Sequence, residues 1–245
     1  SFIEKQVSFG PRNLSSEGSI LCLNYLKQKL NLYADNVIIQ TSKTKTYDNK
    51  EHDFFNIIAE FNPENPNRIF LCAHWDTRHI AENDPFEKNK PIIGANDGGS
   101  GVGVLIEIAR IIKNNPIGVG IDIILFDAED HGTDSNVNSW CLGSQYWSKN
   151  PHKKNYWAKY GVLLDMVGGE NAQFTIEGGS YKYAAKYVEK IWNKGNELGY
   201  GNYFVYDKTK EIIDDHFFIN RIIGIPTLDI IEYDYQTESN FNKHW

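Results

Sequence analysis

The sequence predicts an α/β fold in one domain spanning residues 1–245, with a central twisted sheet, mixed but mostly parallel, and helices on both faces. Three observations carry this. Short apolar runs bounded by turn residues alternate with longer stretches whose apolar residues recur at helical spacing, the pattern of a parallel sheet covered on both sides. The 245 residues suit one large α/β domain and suffice to bury roughly 70% of the extended surface without staples. No internal repeat or low-complexity linker breaks the chain.

The elements follow in order. A helix is expected over residues 15–30, where Ser15 or Ser16 can cap it and Leu23, Leu26 and Leu30 recur on one face. Apolar runs at 37–40, 54–61, 69–73, 121–126, 162–165, 174–176, 203–206 and 227–231 read as strands. Helical periodicity returns at 99–113, through Val102, Leu105, Ile106, Ala109 and Ile112, at 181–194, and in a short stretch beginning near Asp215. The segment 82–90, rich in Asn, Asp, Glu and Lys, reads as a loop near the site.

Composition narrows the function. Apolar residues make up 41% and charged residues 23%, which excludes a disordered chain. The net charge of −7 argues against a nucleic-acid partner, which needs a basic face. No apolar run approaches the roughly 20 residues of a membrane span. The three cysteines, Cys22, Cys72 and Cys141, allow at most one bridge and no disulfide framework.

In sheets of this kind ligands bind beyond the carboxyl ends of the strands, and that is where the acidic residues stand. Residues 69–73 lead into His74-Trp75-Asp76. Residues 121–126 lead into Asp127-Ala128-Glu129-Asp130, and 162–164 into Asp165. Asp97 lies in Gly94-Ala95-Asn96-Asp97-Gly98-Gly99-Ser100-Gly101, where a loop becomes a helix, and Asp214-Asp215-His216 precede another helix. Singly, each has a structural explanation: Asp97, Asp214 and Asp215 could cap helices, 127–130 could be a solvated turn, and His74 a core histidine. Together they would crowd negative charge into one cleft, which is costly without a compensating cation or shared protons. Mixed His and carboxylate donors suit zinc. Of the adjacent pair Glu129 and Asp130, one can hold a metal while the other stays free as a base with a raised pKa.

These motifs, in this order, resemble the M28-like zinc aminopeptidase superfamily, and within it the bacterial glutaminyl cyclases. The resemblance runs from Phe9-Gly10-Pro11-Arg12 to Phe241–Trp245 and includes Leu163-Leu164-Asp165-Met166 and Asp214-Asp215-His216-Phe217-Phe218. It implies a zinc-aminopeptidase-like fold and one Zn²⁺ held by Asp97 and Asp130. The third ligand would be a His directly after the tryptophan that Trp245 matches, one position past the end of this sequence; His244 stands two positions too early. It implies Glu129 as the general acid–base, and Asp165 and Asp214 as a proton-sharing pair that orients the substrate amine. Phe241 and Trp245 match aromatic walls of the substrate pocket, and Trp140 is a further wall or an ordinary core tryptophan. Ile213 departs from the Gln that animal cyclases carry before the Asp pair.

The activity so implied is glutaminyl-peptide cyclotransfer: an N-terminal glutamine of a peptide or protein closes to pyroglutamate and releases ammonia. The resemblance also implies a monomer in the periplasm or at the cell surface, with an export signal removed. Two alternatives remain at this point. One is an M28-type di-zinc aminopeptidase, in which His74 and Asp165 hold the second metal. The other is a catalytically silent binding protein on the same scaffold. Asp214 favours the cyclase, because a carboxylate there can share a proton with Asp165 in competition with a second metal.

Overall fold

A computed structural model describes residues 1–233. Its main sheet has six strands in the order β1-β2-β4-β3-β5-β8: β1 (Asn36–Lys45), β2 (Glu51–Phe61), β3 (Arg68–His74), β4 (Gly120–Phe126), β5 (Gly161–Asp165) and β8 (Thr227–Ile231). β1, β2 and β4 pair antiparallel, whereas β4, β3, β5 and β8 run parallel, so the sheet is mixed and mostly parallel, as expected. A separate parallel pair joins β6 (Phe174–Ile176) to β7 (Phe204–Lys208).

The central strands alternate strictly between two cores. Leu71 and Ala73 of β3, with Ile121, Ile123 and Leu125 of β4, face α2 (Glu17–Asn31), α3 (Ser100–Asn114) and α5 (Gly178–Glu197). Phe70, Cys72, Ile124 and Phe126 face the other way, toward Trp147 of α4 (Leu142–Lys149) and Ile219 of α6 (Asp215–Ile222). Period-two apolar residues buried on both sides give near-continuous hydrophobic strands, and both faces need helices.

This layering positions the site. The chain leaves β3 through α3 and enters β4 on one side of β3. It then crosses by α4, on the opposite face, to β5 on the other side of β3. β3 is therefore the point where the winding reverses, and a crevice opens beyond its carboxyl end.

Several boundaries differ from expectation. Ser16 caps α2, its side chain accepting from the Ser19 amide at 3.0 Å. β1 runs on to Lys45 as an edge strand whose polar residues alternate between half-buried and exposed. Two α-helices lie outside the elements the sequence predicts. α1 (Phe2–Val7) starts with a capping box between Ser1 and Glu4, a signal present in the sequence. α4 starts from Cys141 in the left-handed region without a side-chain cap, so it carries no start signal. Among the described residues no helix is long and apolar enough to cross a membrane.

Candidate active site

His74 ends β3 fully buried, with Nε2 2.9 Å from Asp97 Oδ1 and 3.1 Å from Asp165 Oδ1. Its Nδ1 lies 3.4 Å from Asp76 Oδ1. His74 and Asp76 stand two residues apart at a strand end, and that spacing puts both side chains on one side. Asp76 also organises the end of β4: its two oxygens accept from the backbone N–H groups of Glu129 and Asp130, both at 3.1 Å.

Asp97 is delivered by a tight turn. Gly98 is at φ +70°, and a Cβ there would lie 2.1 Å from the Asp76 carbonyl oxygen, so only glycine fits. α3 is capped by Gly99 without a side-chain bond. Asp97 is therefore not the helix cap; its carboxylate points to His74 instead. Asp214 does cap α6, accepting from the Asp215 amide at 2.5 Å, so it has a structural task as well.

The 127–130 segment is buried rather than a solvated turn. Asp127 accepts from the Phe55 and Ala128 amides at 2.8 and 2.9 Å and thereby locks the turn. Ala128 takes φ +57°, a conformation non-glycine residues adopt only when their surroundings impose it. Glu129 follows. The Cys141 thiol donates to its Oε1 at 3.1 Å, and the Cys141 amide to its carbonyl at 2.9 Å. One donor atom each from Glu129, Cys141 and Asp214 lie within 4.8 Å of one another.

The electrostatics follow from this crowding. Burial, then the charge of Asp130, pushes the Glu129 carboxyl well above the usual range. Burial and Asp97 do the same to Asp130. Burial raises Asp165 to about 7 against the pull of His74, with Asp214 and Asp97 adding to the rise. Asp214 is also raised, chiefly by burial. Burial works against charge on His74, but Asp165, Asp76 and Asp97 overcome it and hold the imidazole well above its ordinary pKa.

Two donor sets here have the chemistry for a metal ion: His74, Asp97 and Asp165, and His74, Glu129 and Asp130, with the atoms of each set within 4.8 Å of one another. Asp130 Oδ2 is buried with no hydrogen-bond partner, as an atom reserved for a cation would be. The residues fit a zinc-class ion bound through nitrogen and oxygen.

Asp97, Glu129, Asp130, Asp165, Asp214 and His74 thus meet at one crevice. Trp140 stands half-buried beside it, packing on Cys141, Phe217 and Phe218, with the Arg78 guanidinium 4.5 Å above its ring. Phe241 and Trp245 lie outside the described residues. Three residues take supporting roles that the sequence does not assign them. Asp76 stands among the acidic residues after the third apolar run, but its grip on the Glu129 and Asp130 amides shows only in the fold. Arg12 is fully buried and donates to the carbonyls of Trp75, Ile93 and Gly94 at 2.9, 2.8 and 2.6 Å, tying the end of β3 to the loop before Asp97. Arg78 donates to the Asp130 carbonyl at 2.8 Å and pairs with Glu82, which anchors the exposed loop 82–90.

Comparison with known proteins adds an independent line. Residues 56–245 match the family model for peptidase family M28. A solved glutaminyl cyclase from Tannerella forsythia is 45% identical, covering 100% of this chain and 86% of that one, with a TM-score of 0.97. A Zn-dependent exopeptidase from Parabacteroides distasonis has the same identity, coverage and TM-score. The aminopeptidase YwaD of Bacillus subtilis is 33% identical over 132 residues, 52% of this chain and 24% of that protein. The chain spans about a quarter of the length of the curated relatives it matches.

Proposed function

We propose, from the premise that this chain belongs to peptidase family M28, that it is a glutaminyl-peptide cyclotransferase rather than a peptidase. The observation that carries this reading is a second buried carboxyl, Asp214, acting on the His74–Asp165 pair: burial above all, with the charge of Asp214 adding to it, lifts Asp165 to about 7, so these carboxyls hold a proton near neutral pH. The full-length likeness to a solved glutaminyl cyclase supports it.

The substrate is a peptide or protein with an N-terminal glutamine. A single Zn²⁺, held by Asp97 and Asp130, would supply a Lewis acid for the γ-carboxamide oxygen and the charge that develops there. The α-amine nitrogen attacks the γ-carbonyl carbon, and the bond to the amide nitrogen breaks. Glu129 takes the proton the amine loses and delivers it to the departing nitrogen, which leaves as ammonia. Its raised pKa suits both halves of that task. Asp165 and Asp214 hold the amine and the leaving nitrogen in line. The attack is intramolecular, so fixing the conformer supplies much of the acceleration. Trp140 walls the glutamine side chain; for Phe241 and Trp245 the same role rests on the sequence resemblance. By the same resemblance the protein acts as a monomer in the periplasm or at the cell surface.

A second reading has its own support: His74, Asp97 and Asp165 form a donor set that could hold an additional ion, as a di-zinc aminopeptidase requires. Replacing Glu129 by Gln keeps the shape and the Cys141 contact but removes the base. Turnover of a glutaminyl peptide should fall by about 10²–10⁴-fold with the fold and zinc content unchanged. A folded, zinc-loaded variant that still turns over at the parent rate would overturn the role of Glu129.

A further inference from the structure

A second group of metal-ligating side chains lies outside the crevice just described. The turn between β1 and β2 carries Asp48, and His52 follows near the start of β2. His131 comes immediately after Asp130, and His79 follows β3. One donor atom each from Asp48, His52 and His131 lie within 4.8 Å of one another. The His79 and His131 rings stack at 3.8 Å and 11°, and the His52 ring is 5.4 Å from that of His131.

What distinguishes this cluster is its unused nitrogens. His131 is 6% exposed, and its Nε2 is buried without a hydrogen-bond partner. His52 Nε2 is equally unpartnered, and so is His79 Nδ1. The opposite nitrogens of two of these rings are engaged: Ser15 Oγ is 2.8 Å from His52 Nδ1, and the Tyr47 hydroxyl is 3.1 Å from His79 Nε2. When the engaged nitrogen of His52 carries the proton, the other offers a lone pair. Metal-binding histidines are oriented by this arrangement. Buried imidazole nitrogens left without partners are costly, and three in one cluster call for an occupant.

Another group of this composition away from the crevice, Glu60–Asp122–His152, is already compensated. Arg68 grips Asp122 at 2.7 and 2.8 Å, and Lys153 reaches Glu60 at 2.6 Å. Asp48 is paired at 2.7 Å with Lys50, but that lysine is 72% exposed and readily exchanged.

We propose that Asp48, His52 and His131, with His79 stacked against them, form a second binding site for a divalent transition-metal ion of the zinc class. Imidazole and carboxylate donors select such ions over magnesium or calcium. Because His131 directly follows Asp130, an ion here ties the β1–β2 hairpin to the segment that carries Glu129 and Asp130. The site does not rest on the cyclase reading.

The test is a zinc chloride titration of the metal-free protein by calorimetry, with zinc content per chain measured after dialysis. The parent protein should take up one equivalent more than His52→Ala and one more than Asp48→Asn. Asp97→Asn should still show that difference when combined with His52→Ala. Asp48→Asn sits on an exposed turn and serves if His52→Ala does not fold. If both variants take up as many equivalents as the parent, the site does not exist and the histidines only pack. Turnover of glutaminyl peptides is not read in this titration, so a failed cyclase reading and a failed metal site give separate results.

Discussion

At the scale of single residues the crevice is a problem of charge compensation. His74, Asp76, Asp97, Asp130, Asp165 and Asp214 are all buried, and protons supply the balance. Asp165, Asp76 and Asp97 raise the His74 pKa well above its ordinary value despite its burial, and burial lifts Asp165 to about 7 and Asp130 well above a free carboxyl. A dication replaces those protons, because ligating groups must be deprotonated. Zinc loading near pH 7 should therefore release about one proton or more for each ion bound at the crevice. Calorimetry in buffers of different ionisation enthalpy measures this directly, as a binding heat that changes with the buffer. A heat independent of buffer would mean that the carboxyls and His74 are not protonated before the metal arrives.

At the scale of elements, close contacts of α3 with the strands hold the crevice in register. Gly101 is the tightest of these: a Cβ there would meet the Leu164 carbonyl oxygen at 2.1 Å and the Ala73 Cβ at 3.0 Å. Gly101→Ala should push the helix off β3 and β5 and destabilise the protein by about 1–3 kcal/mol. At about 2–4 °C per kcal/mol for a chain of this size, thermal unfolding should start to show it as a drop of a few degrees; an unchanged midpoint would show that the helix can shift freely. The central strands were legible because both their faces are apolar, and α3 because its buried residues recur at helical spacing; apolar periodicity is what a sequence displays most plainly. The polar half of β1 was not, since an edge strand needs no apolar alternation. α4 was illegible because its start rests on Cys141 at φ +55°, a tertiary constraint with no sequence signal. Asp97 shows the same limit in reverse: before a glycine-rich helix start it reads as a cap, and only the fold turns its carboxylate toward His74.

At the scale of the whole molecule, one topological fact places the chemistry: the winding reverses at β3, and five acidic segments reach the crevice beyond it. That much could be anticipated, because alternating strands and helices imply a parallel sheet, and parallel sheets bind ligands at their carboxyl edge. The anchoring by Arg12 and the His52–His79–His131 cluster could not, because their members are scattered along the chain and only folding brings them together. The central claim is that this arrangement closes a ring rather than cutting a peptide. The most direct measurement is mass spectrometry of a peptide with an N-terminal glutamine, incubated with the zinc-loaded protein. A cyclase leaves the intact peptide less one ammonia, and that is the expected result. A peptide shortened by its first residue would contradict it and make the protein an aminopeptidase, and an unchanged peptide would contradict catalysis altogether.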